Sequence, residues 1–442
     1  MQLTRGFFLN TRRPIRTRAK LLPAVLVLVS LMSSVASAAG TWAAAAPLAK
    51  GRADHPGILL ANGKVLVVAG DSDPDVLKTC ELYDPVLNTW SAAGTLAVAR
   101  DDHTATLLGN GKVLVVGGGN GVDGTQTLAE LYDPTSNAWT SAGATVVAHA
   151  AHTATLLANG KVLVVGTRGL PVTTRAVAEL YDPATNAWSS AGTLTTGRYE
   201  HTATLLASGK VLVAGGSTGT ALVLNAELYD PATNAWSSGG TLITALARHR
   251  AVALASGKVL IAGGAVSGAT SELYDPISNT WSAAAPMNQS RDRHSMTRLI
   301  DGTVLAAGGY AGTTTWGSSE VYDPVANTWT ATGALAVESR GLHSATLLPS
   351  GKVLVTGGYR SGYISSSEIY SPAVAANATC RPDIDGDGFV TATTDALILL
   401  RIAMGMNSSA VIAGINLPAT ATRNTWPLIR DYLVTQCGFS LP

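Results

Sequence analysis

The chain has 442 residues, of which 46% are hydrophobic and 13% charged, with 46 glycines. That composition suits many short strands and turns and excludes a disordered, highly charged chain. The formal net charge of +1 hides an asymmetry: without the six bases between Arg5 and Lys20, 24 Lys and Arg face 29 Asp and Glu. Such a balance excludes a nucleic-acid partner that would need a basic face.

Residues 1–38 read as a secretory signal peptide. A basic stretch ends at Lys20, an apolar run follows from Leu21 to Met32, and Ala36-Ser37-Ala38 fits the small-residue rule for cleavage. The apolar run is shorter than the ~20 residues a membrane-spanning helix requires, and no later segment is apolar enough to span. The expected location is therefore secreted, periplasmic or at the cell surface.

From residue 39 to 376 the chain repeats itself. A histidine recurs at His55, His103, His152, His201, His249, His294 and His343, marking seven units. Each unit reads as four strands. The first ("HTATLL") turns at Asn-Gly or a near equivalent, such as Asn62-Gly63, whose left-handed backbone suits a tight hairpin. The second ("KVLVV") is a continuous apolar run, as a strand covered on both faces requires, and it ends in Gly-Gly in most units. The third carries "AELYDP" and the fourth a tryptophan. Four-stranded units of this length, repeated seven times, predict an all-β, seven-bladed propeller.

A double glycine after the second strand, then Tyr and Trp seven positions apart, resembles the kelch repeat. The pairs run from Tyr83 with Trp90 through Trp139, Trp188, Trp236 and Trp281 to Tyr322 with Trp329. Tyr370 has no following Trp, yet Trp42 precedes His55 by the spacing that separates Trp90 from His103. The N-terminal segment should therefore supply the outer strand of the last blade and close the ring.

The seven histidines do not read as one active site, because they recur with the blades. An Arg three residues before five of them, and one Glu per blade, fit a polar network binding the first strand to its neighbours. His149 stands outside the repeat, where sister blades carry that Arg. Some kelch-like propellers resemble galactose oxidase, whose copper chemistry needs a tyrosine linked to cysteine, a second tyrosine and two histidines. Cys80 is the propeller's single cysteine, at a position where sister blades have Ala or Ser. No copper set, Ser/His/Asp arrangement or phosphate loop emerges, so the expectation is a non-enzymatic protein; the alternative is an extracellular carbohydrate-active or oxidative enzyme.

Residues 377–442 form a distinct module. "DIDGDGFVTATTDALILLRIAMG" resembles the calcium loop and first helix of a dockerin, a form of EF-hand. That resemblance implies calcium on Asp383, Asp385, Asp387, the Phe389 carbonyl and Thr391. Thr394 replaces the acid expected at the twelfth position, and a one-residue bulge would bring Asp395 to the ion instead. Only one such segment is present, so cohesin binding does not carry over. Cys380 and Cys437 bracket the module, and secretion permits a disulfide between them.

Strands alternate direction within a blade, so loops joining strands two to three and four to one share one face. They vary in length and hold the exposed-looking aromatics Tyr310, Trp316, Tyr359 and Tyr363, with Arg168 and Arg360 nearby. The other face is nearly uniform. A glycan or extracellular protein is thus expected on the variable face of a monomeric propeller.

Overall fold

The structure is a computed structural model that describes residues 39–120, 124–169, 172–264, 268–373 and Ile429. The leader, the calcium loop from Asp383 to Asp395, and both Cys380 and Cys437 lie outside the described residues. Residues 40–372 form one compact unit.

Among the described residues there are seven four-stranded antiparallel sheets, each a blade, and one two-stranded hairpin, Tyr310–Ala311 with Thr314–Thr315, inserted in blade 6. Blade 4 is typical: Thr202–Leu205, Val211–Ala214, Asn225–Asp230 and Ala235–Thr241 in that spatial order. Its second strand is fully buried, as in every blade, because neighbouring blades cover both of its faces. Leu163, Val165 and Ala178 of blade 3 pack against Val211, Val213 and Tyr229 of blade 4 in one such interface. Dry β-branched packing between blades, repeated around the ring, is the main source of stability.

The ring closes through the N-terminal strand. Thr41–Ala45 pairs with Ser367–Ser371, placing Trp42 opposite Tyr370, as Trp90 stands opposite Tyr83. The Trp42 and Tyr370 rings lie 5.1 Å apart, against 5.0 Å for Tyr83 and Trp90. Each of these tryptophans also clasps the preceding blade: Trp90 donates to the Ala46 carbonyl (2.7 Å), Trp139 to Gly94 (2.9 Å) and Trp42 to Gly333 (3.0 Å).

The Asn-Gly turns differ from the tight hairpin expected. Only the glycine is left-handed, Gly63 at φ +81°, and its N–H bonds to the Leu60 carbonyl while Leu60 N–H bonds to Lys64. This is a three-residue loop in which a turn is followed by a left-handed glycine. The double glycine has a different cause. Gly215 sits at φ +63°, and a side chain there would fall 2.5 Å from the Leu246 carbonyl of the next blade. In the first blade Ala69 takes the same backbone at φ 47°. Thr167 in the third does not; its hydroxyl instead accepts the Ala150 and Gly169 N–H groups.

Candidate functional site

The repeated polar residues resolve into two separate devices. Arg198 is fully buried; it bonds the Gly215 and Asn225 carbonyls and reaches Glu227 at 2.7 Å. Arg52, Arg100, Arg291 and Arg340 repeat this with Glu81, Glu130, Glu320 and Glu368. In blade 3 His149 substitutes for the arginine, bonding the Gly166 carbonyl at 2.7 Å and Glu179 at 3.1 Å. In blade 5 the position is Leu246, and Glu272 is satisfied by the N–H groups of Ile243 and Thr244. These are blade-internal staples: five glutamates are paired with arginine, and Glu179 and Glu272 are hydrogen-bonded, as burial demands.

The seven repeat histidines form the second device, between blades. His152, His201 and His249 each meet a threonine hydroxyl of the preceding blade (Thr104, Thr153, Thr202) at 2.9 Å. His343 meets Ser295, and His55 meets Ser344. Pro56 and Arg250 occupy the hydroxyl position facing His103 and His294, whose ring nitrogens have no partner among the described residues. Burial holds all seven well below the usual histidine value, His55 and His249 to about 3. They are spread one per blade. No group of three or more His, Cys, Asp or Glu among the described residues is placed to hold a metal ion. Cys80 is a buried free thiol, packed with Leu60, Val68 and Leu96, and burial pushes it up to about 12.

The residue before each repeat histidine carries a signal that periodicity alone did not disclose. Asp54, Asp102, Ala151, Glu200, Arg248, Arg293 and Leu342 all adopt left-handed backbone, with φ between 49° and 62°. A carbonyl of one accepts the N–H of the next: Ala151 to Asp102, Glu200 to Ala151, Arg248 to Glu200, Arg293 to Arg248, Leu342 to Arg293 and Asp54 to Leu342, at 2.9–3.2 Å. This backbone circlet joins the blades and presents its side chains at the mouth of the central channel.

A cavity of about 460 Å³ opens there, on the face of the variable loops. Asp54, Asp71, Asp292, Arg248, Arg293 and the three tyrosines Tyr310, Tyr359 and Tyr363 line it. The Tyr310 hydroxyl donates to the Tyr359 carbonyl at 2.7 Å, and that of Tyr363 to Asp71 at 2.6 Å. The Tyr359 and Tyr363 rings meet edge to face at 5.2 Å. The aromatic wall is therefore held in place before any ligand arrives, which lowers the entropic cost of binding. Burial pushes Asp54 up to about 7, with Asp102 adding to the rise, and Tyr310 up to about 12.

Of the sequence candidates, the cavity gathers Tyr310, Tyr359 and Tyr363. Trp316 lies elsewhere, its indole donating to the Ser290 carbonyl at 2.9 Å. Arg168 pairs with Asp102, and Arg360 is exposed outside the cavity lining. The opposite face is uniform in backbone but not in chemistry: Val86, Ile277 and Val325 protrude from the turns of blades 1, 5 and 6.

The fold is similar to that of a fungal alcohol oxidase with catalytic diversity among the AA5 family, solved in complex with copper (TM-score 0.62, 17% identity, 76% of each chain covered). At that identity the likeness is one of fold. No curated protein matches the chain. Residues 54–264 match the KLHDC2/KLHL20/DRC7 Kelch-repeats domain, so this stretch of the propeller is similar to that Kelch-repeat family.

Proposed function

We propose that this chain is a secreted, non-enzymatic binding protein that takes a glycan or an extracellular protein at the channel mouth. The observation that carries the reading is the 460 Å³ cavity walled by Tyr310, Tyr359 and Tyr363 and rimmed by charged residues of the circlet. Fixed aromatic faces beside hydrogen-bonding carboxylates suit a sugar ring, which has one apolar and one polar side. The copper oxidase of similar fold favours the second reading, an extracellular oxidative enzyme. Against it, the seven repeat histidines are buried one per blade, His149 is held by Glu179, and Cys80 is buried in the core.

The test is a glycan and surface-protein array on the mature chain, followed by affinity measurements on variants. Tyr359→Ala and Tyr363→Ala should weaken binding by roughly tenfold to 100-fold, as removal of an aromatic anchor does. Thr233→Ala, exposed on the opposite face, serves as control. Asn234 is unsuited to that use because it accepts the Tyr229 hydroxyl. Equal affinity in all variants would sink the assignment of this face.

For the C-terminal module we propose calcium on Asp383, Asp385, Asp387, Phe389, Thr391 and Asp395, and a Cys380–Cys437 disulfide. Three alternating aspartates followed by Gly388 support this. Titration calorimetry of the mature chain should show one calcium-binding event that Asp385→Ala abolishes. An unchanged calcium heat in that variant would refute the site.

A further inference from the structure

Three carboxylates and two arginines line the cavity at the channel mouth. Both of its arginines are engaged by one carboxylate: Arg248 Nε lies 2.9 Å from Glu200, and Arg293 3.7 Å from its other oxygen. Arg168, at the rim, is committed to Asp102. Asp71 accepts the Tyr363 hydroxyl and the Ser72 N–H. The side-chain carboxylates of Asp54 and Asp292, which line the cavity, have no hydrogen bond or ion pair among the described residues. The groups acting on Asp54 are Asp101, Asp102, Arg250 and Arg293, and Arg250 spends its Nε on the His294 carbonyl. Two carboxylates without a hydrogen-bonding partner therefore face the cavity, with Arg248, Arg250 and Arg293 acting on them from a distance, beside a rigid tyrosine wall. A cation entering there would meet carboxylates and the negative faces of aromatic rings.

Building on the binding reading above, we infer that the mouth selects a sugar carrying a primary ammonium group, an amino-sugar residue. The ammonium is held by Asp54 and Asp292, and the ring packs on Tyr359 and Tyr363. A cavity of about 460 Å³ is wider than one extended cationic side chain needs, and its mixed aromatic and carboxylate lining matches a pyranose. The raised Asp54 agrees: its carboxyl is held partly neutral by burial and by Asp102, and an arriving cation would favour its ionised form.

The probes are a glucosamine tetrasaccharide, its fully N-acetylated form and tetralysine, each titrated into the mature chain at neutral pH. The glucosamine oligomer should bind, and N-acetylation should weaken it by roughly tenfold to 100-fold, the value of a charge-assisted hydrogen bond. Asp54→Asn should cause a similar loss for the glucosamine oligomer only. Asparagine tolerates the left-handed backbone at that position, so the variant keeps the circlet. Equal affinity for both sugars, or an unchanged Asp54→Asn, overturns the ammonium inference. So does tetralysine binding as tightly as the amino sugar, which would indicate a peptide ligand. If neither sugar binds, the inference falls; the wider reading of the mouth falls only if an array ligand is also indifferent to Tyr363→Ala.

Discussion

Lowering the pH from about 6.5 to about 4.5 is expected to unfold the propeller, with up to about seven protons taken up per molecule. The cause is the row of buried neutral histidines. Each has a folded value below its ordinary 6.5, reaching about 3 in His55 and His249. Below pH 6.5 the unfolded chain binds a proton at each of these positions and the native chain does not. Stability is therefore complete above that value and is lost as pH falls towards the folded value. Each histidine contributes about 1.4 kcal/mol per pH unit in this window, so seven exhaust a stability of about 5–15 kcal/mol within one or two units. Asp54 and Asp101, raised to about 7 and about 6, and Asp292, also raised by burial, act in the opposite sense, since the native state holds their protons more tightly. Three groups do not offset seven. The check is the thermal midpoint as a function of pH, with proton uptake from calorimetry in two buffers. His201→Gln keeps a partner for Thr153 and should lower the uptake by about one proton. A midpoint that stays level from pH 7 to pH 5 would contradict the account.

Removal of residues 39 to 48 should lower thermal stability more than any single substitution in the propeller. The deletion strips the outer strand from blade 7, the Trp42 indole bond to Gly333, and Leu48, which is buried and bonded through its N–H to Ser365. Trp42→Ala alone should cost about 3 kcal/mol, the lower end for a large aromatic in a partly covered site. Trp42→Phe should cost about 1 kcal/mol, the loss of one hydrogen bond. The deletion also exposes the ladder edge of Ser367–Ser371, so aggregation on heating should increase. Unchanged melting in the deleted protein would refute ring closure by this strand.

Much of the architecture was legible because each blade obeys the same local rules. The apolar run of the second strand, the Tyr and Trp spacing, and the stray Trp42 were enough to number the blades and to locate the closure. The mouth was legible only in part. Tyr310, Tyr359 and Tyr363 stand out as aromatics in variable loops, but Asp54, Arg248 and Arg293 come from three different blades and meet only at the axis. Their shared mark, the place just before the repeat histidine, has no compositional bias, since an Ala and a Leu occupy it too. The Asn of each YDPxxN turn was similarly hidden. In Asn88, Asn137 and Asn186 it is left-handed and accepts the hydroxyl of the tyrosine five residues before it. Tyr370 has no such Asn and bonds Thr332 instead, a local departure at the one blade built from both ends of the chain.

The circlet of left-handed residues separates shape from identity at the axis. A residue with a Cβ in this conformation carries a steric cost of about 1–2 kcal/mol, and at six of the seven positions the neighbouring blade's carbonyl holds the backbone regardless of the side chain. Aspartate, alanine, glutamate, arginine and leucine all occupy the same geometry. The seven places therefore behave as a combination dial on a fixed spindle: point mutations can rewrite the polarity seen by an incoming molecule while blade spacing stays constant. A propeller built this way can acquire new partners through single codon changes, without the insertions that loop remodelling would require.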